Sequence, residues 1–185
     1  MDGGANSEAP FVTLREVGMA NKQNFTPDEW TKVLESIMLA GVAVSAAEPS
    51  GLWGTIKEGF ASSSEIAKAQ LDPGTNELIK AAIADLETSE GRASVKEEAL
   101  QKGYLGTKPA ELVQRSLANL REVSAILDAK APGDAQAFKT WLRGISQKVA
   151  EAASEGGFLG IGGVQVSDAE KATLADISKA LGIGT

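Results

Sequence analysis

Apolar side chains recur every three or four residues along most of this chain, and that spacing constrains the fold more than any other feature. Capping boxes precede several of these stretches, at Thr26–Glu29, Ser94–Glu97 and Ser167–Glu170. Residues 25–185 show no convincing alternation of apolar and polar residues of the kind that marks a half-buried strand. The sequence therefore predicts an all-α fold, a single globular bundle of six or seven helices.

Two long apolar stripes follow each other in the second half of the chain. The first consists of Leu112, Val113, Leu117, Leu120, Val123 and Leu127. The second consists of Phe138, Trp141, Leu142, Ile145, Val149 and Ala152. Only a short turn around Pro132-Gly133-Asp134 separates them, and helices joined by short loops pack as antiparallel neighbours. We therefore predict a central antiparallel helix hairpin.

The chain divides into a short leading segment and one domain. Residues 2–10 are small, polar and turn-prone, unlike the periodic segments that follow. The total length of 185 residues suits one domain with a core that needs no disulfide or metal. We predict a flexible N-terminal extension over residues 1–24 and a helical bundle domain over residues 25–185.

The composition removes the usual catalytic groups. The chain contains no cysteine and no histidine. It therefore has no thiolate nucleophile, and no side chain whose unperturbed pKa lies near neutrality. We expect the protein not to be an enzyme, and we expect no cofactor and no metal site.

Charge and hydropathy indicate the partners and the compartment. The net charge is −7 and the 18 basic residues are scattered, so we expect no nucleic-acid partner. No uninterrupted apolar run approaches the roughly 20 residues that a membrane-spanning helix needs, and the acidic, glycine-rich start is wrong for a secretory signal. These features predict a cytoplasmic protein without a transmembrane segment.

A glycine-rich loop at residues 156–166 is the most distinctive segment. Its candidate interaction residues are Gly157, Phe158, Leu159, Gly160, Ile161, Gly162 and Gly163. Phosphate binding is disfavoured because no Gly-Lys-Ser/Thr ending is present and Gln165 stands where a third glycine would be needed. Membrane contact is disfavoured because the loop has no basic flank. The pattern favours a structural loop that fills the end of the core, or a variant in which some of its apolar residues bind a partner.

Carboxylates and tryptophans are the other candidates for a site. Three carboxylates lie beside apolar stripes: Glu35, Asp85 and Asp128. An opposed pair of carboxylates could transfer protons or bind a divalent cation, but the helical spacing predicts that all three lie at the solvated margin. The tryptophans, Trp30, Trp53 and Trp141, are predicted to pack in the core and not around a ligand.

Several segments together resemble a known family. They are Phe25-Thr26-Pro27-Asp28-Glu29-Trp30, Ala47-Glu48-Pro49-Ser50-Gly51, and the run from Gly156 to Val164 with Ser167-Asp168-Ala169-Glu170-Lys171. The chain resembles, over residues 25–185, an uncharacterised bacterial, mainly cyanobacterial, family of all-helical proteins. From Val164 onward it is also similar to the final helix of tellurite-resistance TerB-like domains. The resemblance implies a helical fold and a bacterial origin, and it implies no activity.

Two functions are compatible with these features. The first is a non-enzymatic protein-interaction or assembly module, which self-associates or binds a protein partner through apolar surface. The alternative is a small-molecule or lipid carrier with an apolar cavity between helices near the glycine-rich loop.

Overall fold

The fold is described from a computed structural model, which describes residues 20–47, 64–155 and 166–184. Within these ranges there are seven α-helices and no strand, and 83% of the residues are helical. The helices are α1 Pro27–Ala47, α2 Ser64–Leu71, α3 Glu77–Glu87, α4 Ser89–Gln101, α5 Pro109–Lys130, α6 Pro132–Glu155 and α7 Asp168–Leu181, and a 3₁₀ turn at Lys22–Asn24 precedes them. The prediction of an all-α fold, a single bundle of six or seven helices, is confirmed.

Helix α1 is surrounded by other helices. It packs against α3, α4, α5, α6 and α7, most extensively against α5 and then α6. The five consecutive residues 33–37 are all buried. Successive residues of an α-helix are rotated by about 100°, so five of them cover its whole circumference. The middle of α1 therefore has no side that faces solvent.

The packing around α1 also modifies the expected arrangement of α5 and α6. Ala131 alone separates these two helices, and they contact each other, but each contacts α1 more extensively. The apolar stripes predicted for them are largely buried, with Leu120, Leu127 and Phe138 fully enclosed. The antiparallel hairpin stays a prediction, and the helix with the most contacts in the bundle is α1.

Local capping chemistry fixes the beginnings of several helices. Before α1, the Glu29 backbone N–H donates to Thr26 Oγ1 at 3.2 Å, and the Thr26 N–H donates to Glu29 Oε2 at 2.8 Å. The same reciprocal pair joins Ser167 and Glu170 before α7. These two predicted capping boxes are confirmed.

The third predicted capping box is wrong, because Ser94 lies inside α4. That helix begins at Ser89, with Thr88 as its N-cap, and the Gly91 N–H donates to Thr88 Oγ1 at 2.9 Å. Helix α4 can begin at Ser89 because Gly91 has no side chain and lets α4 approach the end of α3 closely. A Cβ atom on residue 91 would lie 2.1 Å from the carbonyl oxygen of Asp85.

Residues 20–24 pack on the bundle, although they were included in the predicted extension. Ala20 is buried, and its N–H donates to Asp134 Oδ2 at 2.9 Å. The Lys22 ammonium lies 3.0 Å from the Asp85 carboxylate. The part of the extension that remains a prediction, residues 1–19, lies outside the described residues.

Helix α1 is the one described helix that is long and apolar enough to cross a membrane. It has 21 residues, and its most apolar window has a mean hydropathy of 1.3. Within the bundle, 72% of that window is buried, which is typical of a helix in a protein core. The absence of a transmembrane segment stays a prediction, and α1 is the described helix whose length and hydropathy would also allow it to span a membrane.

Two glycine-to-alanine substitutions should change stability in opposite directions. Gly91→Ala places a methyl group against the backbone of Asp85, so we expect it to lower the free energy of unfolding by about 1–3 kcal/mol. Gly144→Ala lies inside α6, where the nearest atom is Glu65 Oε2 at an ordinary 3.6 Å, and it should raise that free energy by about 1 kcal/mol. Urea denaturation measures both. A Gly91→Ala protein as stable as the wild type would contradict the close contact between α3 and α4.

Candidate functional site

Glu35 lies in the interior of the protein, in the middle of α1. The residue is 1% exposed, so its predicted position at a solvated margin is wrong. The physical reason is that α1 has no solvated margin at this level of the bundle. Burying an ionisable side chain costs free energy unless partners compensate for the lost water, so the surroundings of Glu35 form the candidate site.

One carboxylate oxygen of Glu35 binds two donors from other helices. The Lys102 ammonium donates to Oε2 at 2.7 Å from the end of α4, and Asn119 Nδ2 donates to the same oxygen at 2.7 Å from α5. Lys102 also lies 2.9 Å from the Glu98 carboxylate. The interactions of Glu35 therefore join α1, α4 and α5.

Other polar atoms at this site have no hydrogen-bond partner. In the described part of the chain there are four such buried side-chain atoms: Glu35 Oε1 and Asn119 Oδ1 belong to the hydrogen-bonded residues, Ser116 Oγ lies on the neighbouring turn of α5, and Glu170 Oε1 lies elsewhere. Ser116 lies one turn before Asn119 on the same side of α5. Each unsatisfied buried polar group costs about 1–3 kcal/mol. We call the set Glu35, Lys102, Ser116 and Asn119 the Glu35 cluster.

The two charged members of the cluster differ in their pKa behaviour. Burial raises the pKa of Glu35 above its ordinary value, and the hydrogen bond from Lys102 opposes that rise only in part. Burial acts to lower the pKa of Lys102, but its hydrogen bonds to Glu35 and Glu98 outweigh burial and raise it. The difference has a geometric cause: the Lys102 side chain keeps 29% exposure and two carboxylate partners, whereas Glu35 is enclosed and has one unpartnered oxygen.

The Glu35 cluster anchors residues 100–107, which are the last two residues of α4 and the turn that joins α4 to α5, and we call this segment the α4–α5 corner. Lys102 begins the turn, and its carbonyl accepts a hydrogen bond from Arg115 Nη1. Gly103 and Gly106 have φ values of 65° and 86°, a region that favours glycine. Tyr104 covers Lys102, whose ammonium lies 5.9 Å from the ring centroid.

The α4–α5 corner places two leucines in solvent. Leu100 and Leu105 are 53% and 65% exposed, on either side of the anchored Lys102. Most large apolar side chains in the described residues are instead buried or partly buried. An exposed apolar pair on a turn held by an internal ion pair has the features of a docking surface.

The geometry of the Glu35 cluster suits a structural role better than catalysis. Its carboxylate is enclosed, so a substrate could not reach it without displacing Lys102 or Asn119. Across the described ranges, no group of three or more Asp, Glu, His or Cys side chains is placed to hold a metal ion. The cluster stabilises the backbone that carries Leu100 and Leu105.

The other predicted site residues fall in different places. The candidate interaction loop, Gly157 to Gly163, lies outside the described residues. Asp85 is partly buried and accepts a hydrogen bond from Trp30 Nε1 at 2.7 Å, so the solvated position predicted for it is only partly correct. Asp128 is 61% exposed, as predicted, and binds Lys139 at 2.7 Å. The structure does not bring Glu35, Asp85 and Asp128 together as ion-binding ligands.

A groove lies between α6 and α7, beyond the end of the glycine-rich loop. Its volume is about 470 Å³. It is lined by Arg143, Gln147, Val166, Lys171, Leu174, Ala175, Ser178 and Gly184. The carrier alternative predicts an apolar cavity near the glycine-rich loop, and this groove includes Val166, the last residue of that loop. Its walls contain charged and polar side chains as well as apolar ones.

Sequence reasoning missed Ser116, Asn119, Lys102 and Arg143. A signal was present for the first two, because they lie four and seven residues after Leu112, within the apolar stripe of α5. Polar residues in such a stripe require a buried partner. No comparable signal marks Lys102 or Arg143, because the buried partner of each, Glu35 and Ser178 respectively, is distant in sequence.

Comparison of the chain with known protein families, curated proteins and solved structures finds no match. The resemblance to a bacterial helical family therefore stays a prediction.

The raised pKa of Glu35 predicts a specific pH dependence of stability. Below the ordinary value of 4.5 the carboxyl is protonated in both folded and unfolded chains. As the pH rises through the raised folded-state pKa, the unfolded chain ionises more readily, so the stability contributed by the protonated form is lost. Glu35→Gln resembles the protonated form, so its stability relative to the wild type should increase between pH 4 and pH 8.

Denaturant unfolding across that pH range measures this difference, since the other carboxylates are common to both proteins. Glu35→Ala is the matched comparison. It leaves Lys102 and Asn119 without their shared acceptor and should cost roughly 3 kcal/mol. Unfolding free energies of wild type and Glu35→Gln that stay parallel across the range would contradict the assignment.

Proposed function

We propose that this protein is a non-enzymatic assembly module that associates with a second copy of itself through the α4–α5 corner. The observation that carries the proposal is the exposure of Leu100 and Leu105 on a turn held by the Glu35 cluster. The lack of histidine and cysteine and the enclosure of Glu35 support a role without catalysis.

Apolar exposure is concentrated at this corner. The large apolar residues that are exposed in the described ranges are Leu71, Leu100 and Leu105. Two of these three lie within five residues of each other in sequence, while Leu71 lies at the end of α2. Two exposed leucines on one short segment favour an interface there, because the apolar residues that contribute most of the binding free energy cluster at the centre of an interface.

The charge around the corner also favours self-association. Residues 89–115 carry five basic and four acidic side chains, whereas the whole chain has a net charge of −7. Two copies of an acidic protein repel each other least where their surfaces are locally neutral. A symmetric dimer brings the same patch from both copies together, so a patch with both signs of charge can pair with itself.

Rigidity should lower the entropic cost of such an interface. The ion pair between Lys102 and Glu35 and the hydrogen bond from Arg115 to the Lys102 carbonyl hold the turn before a partner arrives. A preorganised surface loses less conformational freedom on binding. The enclosed cluster thereby contributes to function without touching the partner.

The proposal extends to the cellular setting. The acidic composition and the lack of cysteine support a cytoplasmic protein that does not bind nucleic acid. The burial of α1 within the bundle supports its role as a core helix and not as a membrane span.

Leu105→Ser should weaken self-association without weakening the fold. The wild-type mass should rise above 19.1 kDa toward twice that value as concentration increases, over a range from about 1 µM to about 0.2 mM. Leu105→Ser should remain monomeric because it loses an apolar contact at the centre of the interface. Sedimentation velocity measures the mass of both proteins.

Leu71→Ser is the matched control, since Leu71 is 83% exposed but lies away from the corner. It should associate like the wild type. A wild-type protein that stays monomeric over the whole range would refute the proposal, and so would equal effects of the two substitutions.

A small-molecule carrier is the second candidate function, and one observation favours it. The groove of about 470 Å³ between α6 and α7 lies within the size range of ligand pockets, about 300–1,000 Å³. It is formed by helices other than those of the α4–α5 corner, so the two functions can be tested separately.

A further inference from the structure

We infer that the groove between α6 and α7 binds a small organic anion with an apolar tail, a medium-chain carboxylate, through the guanidinium of Arg143. The inference rests on the carrier role proposed above and specifies its ligand class. It is independent of self-association, because the groove residues belong to α6, α7 and the segments that flank α7.

Arg143 is a partly buried cation that has no carboxylate partner among the described residues. Its Nε donates to Ser178 Oγ at 3.0 Å and its Nη1 donates to Gln147 Oε1 at 3.1 Å. Both acceptors are neutral. A guanidinium has five N–H donors, so three of them lack a partner among the residues that the structure describes. Burial lowers the pKa of Arg143, and no neighbouring charge offsets it.

This environment distinguishes Arg143 from the other basic residues. In the described ranges, basic side chains either form ion pairs with carboxylates, as Lys102 and Lys139 do, or belong to exposed residues, as Lys96 and Arg121 do. Among the basic residues that the structure describes, Arg143 is the one that is partly buried and has no acidic partner. None of the acidic side chains that the structure describes forms an ion pair with it. A cation in this state favours an anion supplied from outside.

The walls of the groove indicate the rest of the ligand. Lys171 is a second cation in the lining, and its own ion pair with Asp168 is long at 3.4 Å and exposed, so it is weak. No acidic residue is among the described lining residues. Val166, Leu174 and Ala175 supply apolar wall. Positive charge beside apolar surface suits an anionic head joined to a short hydrocarbon tail.

The guanidinium favours a carboxylate as that head. Arg143 presents planar N–H donors that can hold two oxygens of one carboxylate at once. Fixing the guanidinium to Ser178 and Gln147 reduces the freedom that a ligand must remove. Lys171 shares its charge with Asp168, so Arg143 supplies the one positive charge without an acidic partner among the described lining residues, and a single charge matches a carboxylate better than a doubly charged phosphate.

A titration with four eight-carbon compounds tests the inference. Octanoate, octyl phosphate, octan-1-ol and octyltrimethylammonium share a tail and differ in the head, and the amide NMR signals of Leu174, Ala175 and Gly184 report binding in the groove. We expect saturable binding of octanoate, weaker binding of octyl phosphate, and little binding of the neutral and cationic compounds. Added salt should weaken octanoate binding because it screens the charges.

Two substitutions identify the recognising group. Arg143→Gln should weaken octanoate binding by about 10- to 100-fold, the range expected for loss of hydrogen bonds to a charged group. Lys179→Gln is the control: it removes one positive charge from α7, but its side chain is 72% exposed and does not line the groove. It should change the affinity by less than about twofold. Arg143→Lys, which keeps the charge and loses the planar donors, should give an intermediate affinity and serves if Arg143→Gln fails to fold.

The binding results separate the carrier role from the choice of an anionic ligand and from the role of Arg143. Octanol that binds as tightly as octanoate would overturn the anion assignment while leaving the carrier role intact. No saturable binding of any compound would overturn both. Preferential binding of octyl phosphate would overturn the choice of carboxylate, and octanoate affinity unchanged by the Arg143 substitutions would overturn the role of Arg143.

Discussion

The carboxylate of Glu35 is buried at the middle of α1, where other helices enclose that helix on all sides. The positions of α4 and α5 depend on the partners that compensate for the buried charge of Glu35. Water does not surround it, so its partners come from other helices: Lys102 from the end of α4 and Asn119 from α5. Such an ion pair adds little net stability compared with apolar packing. What it fixes is position, because Lys102 reaches Glu35 only when the turn after α4 lies against α1.

Two surfaces follow from the way in which this bundle distributes its charges. At the α4–α5 corner the cation is paired inside, and the turn that it holds presents Leu100 and Leu105 to solvent. In the groove between α6 and α7 the partly buried cation, Arg143, has neutral partners instead of a carboxylate. The first arrangement suits contact with another apolar surface, and the second suits an anionic ligand. The two surfaces belong to different helices, so one chain can carry both.

The helices were predictable from the sequence where local chemistry determines them. The capping boxes at Thr26 and Ser167 begin helices because donor, acceptor and backbone lie within four residues. Ser94 has the same pattern but lies within α4, since Thr88 caps that helix and Gly91 permits its close contact with Asp85. Glu35 was misplaced for a related reason. Periodicity shows which face of a helix is apolar, but whether the remaining face is covered depends on how many helices pack around it.

Native-state hydrogen exchange tests most directly whether α1 is the enclosed helix on which the other helices pack. The amides of residues 33–44 should exchange only through global unfolding, with a free energy equal to that measured by denaturant. Those of α4, which has two buried residues, should exchange through smaller, local openings. If the amides of α1 exchange as fast as those of α4, the helix is not enclosed and the account of Glu35 and the α4–α5 corner is wrong.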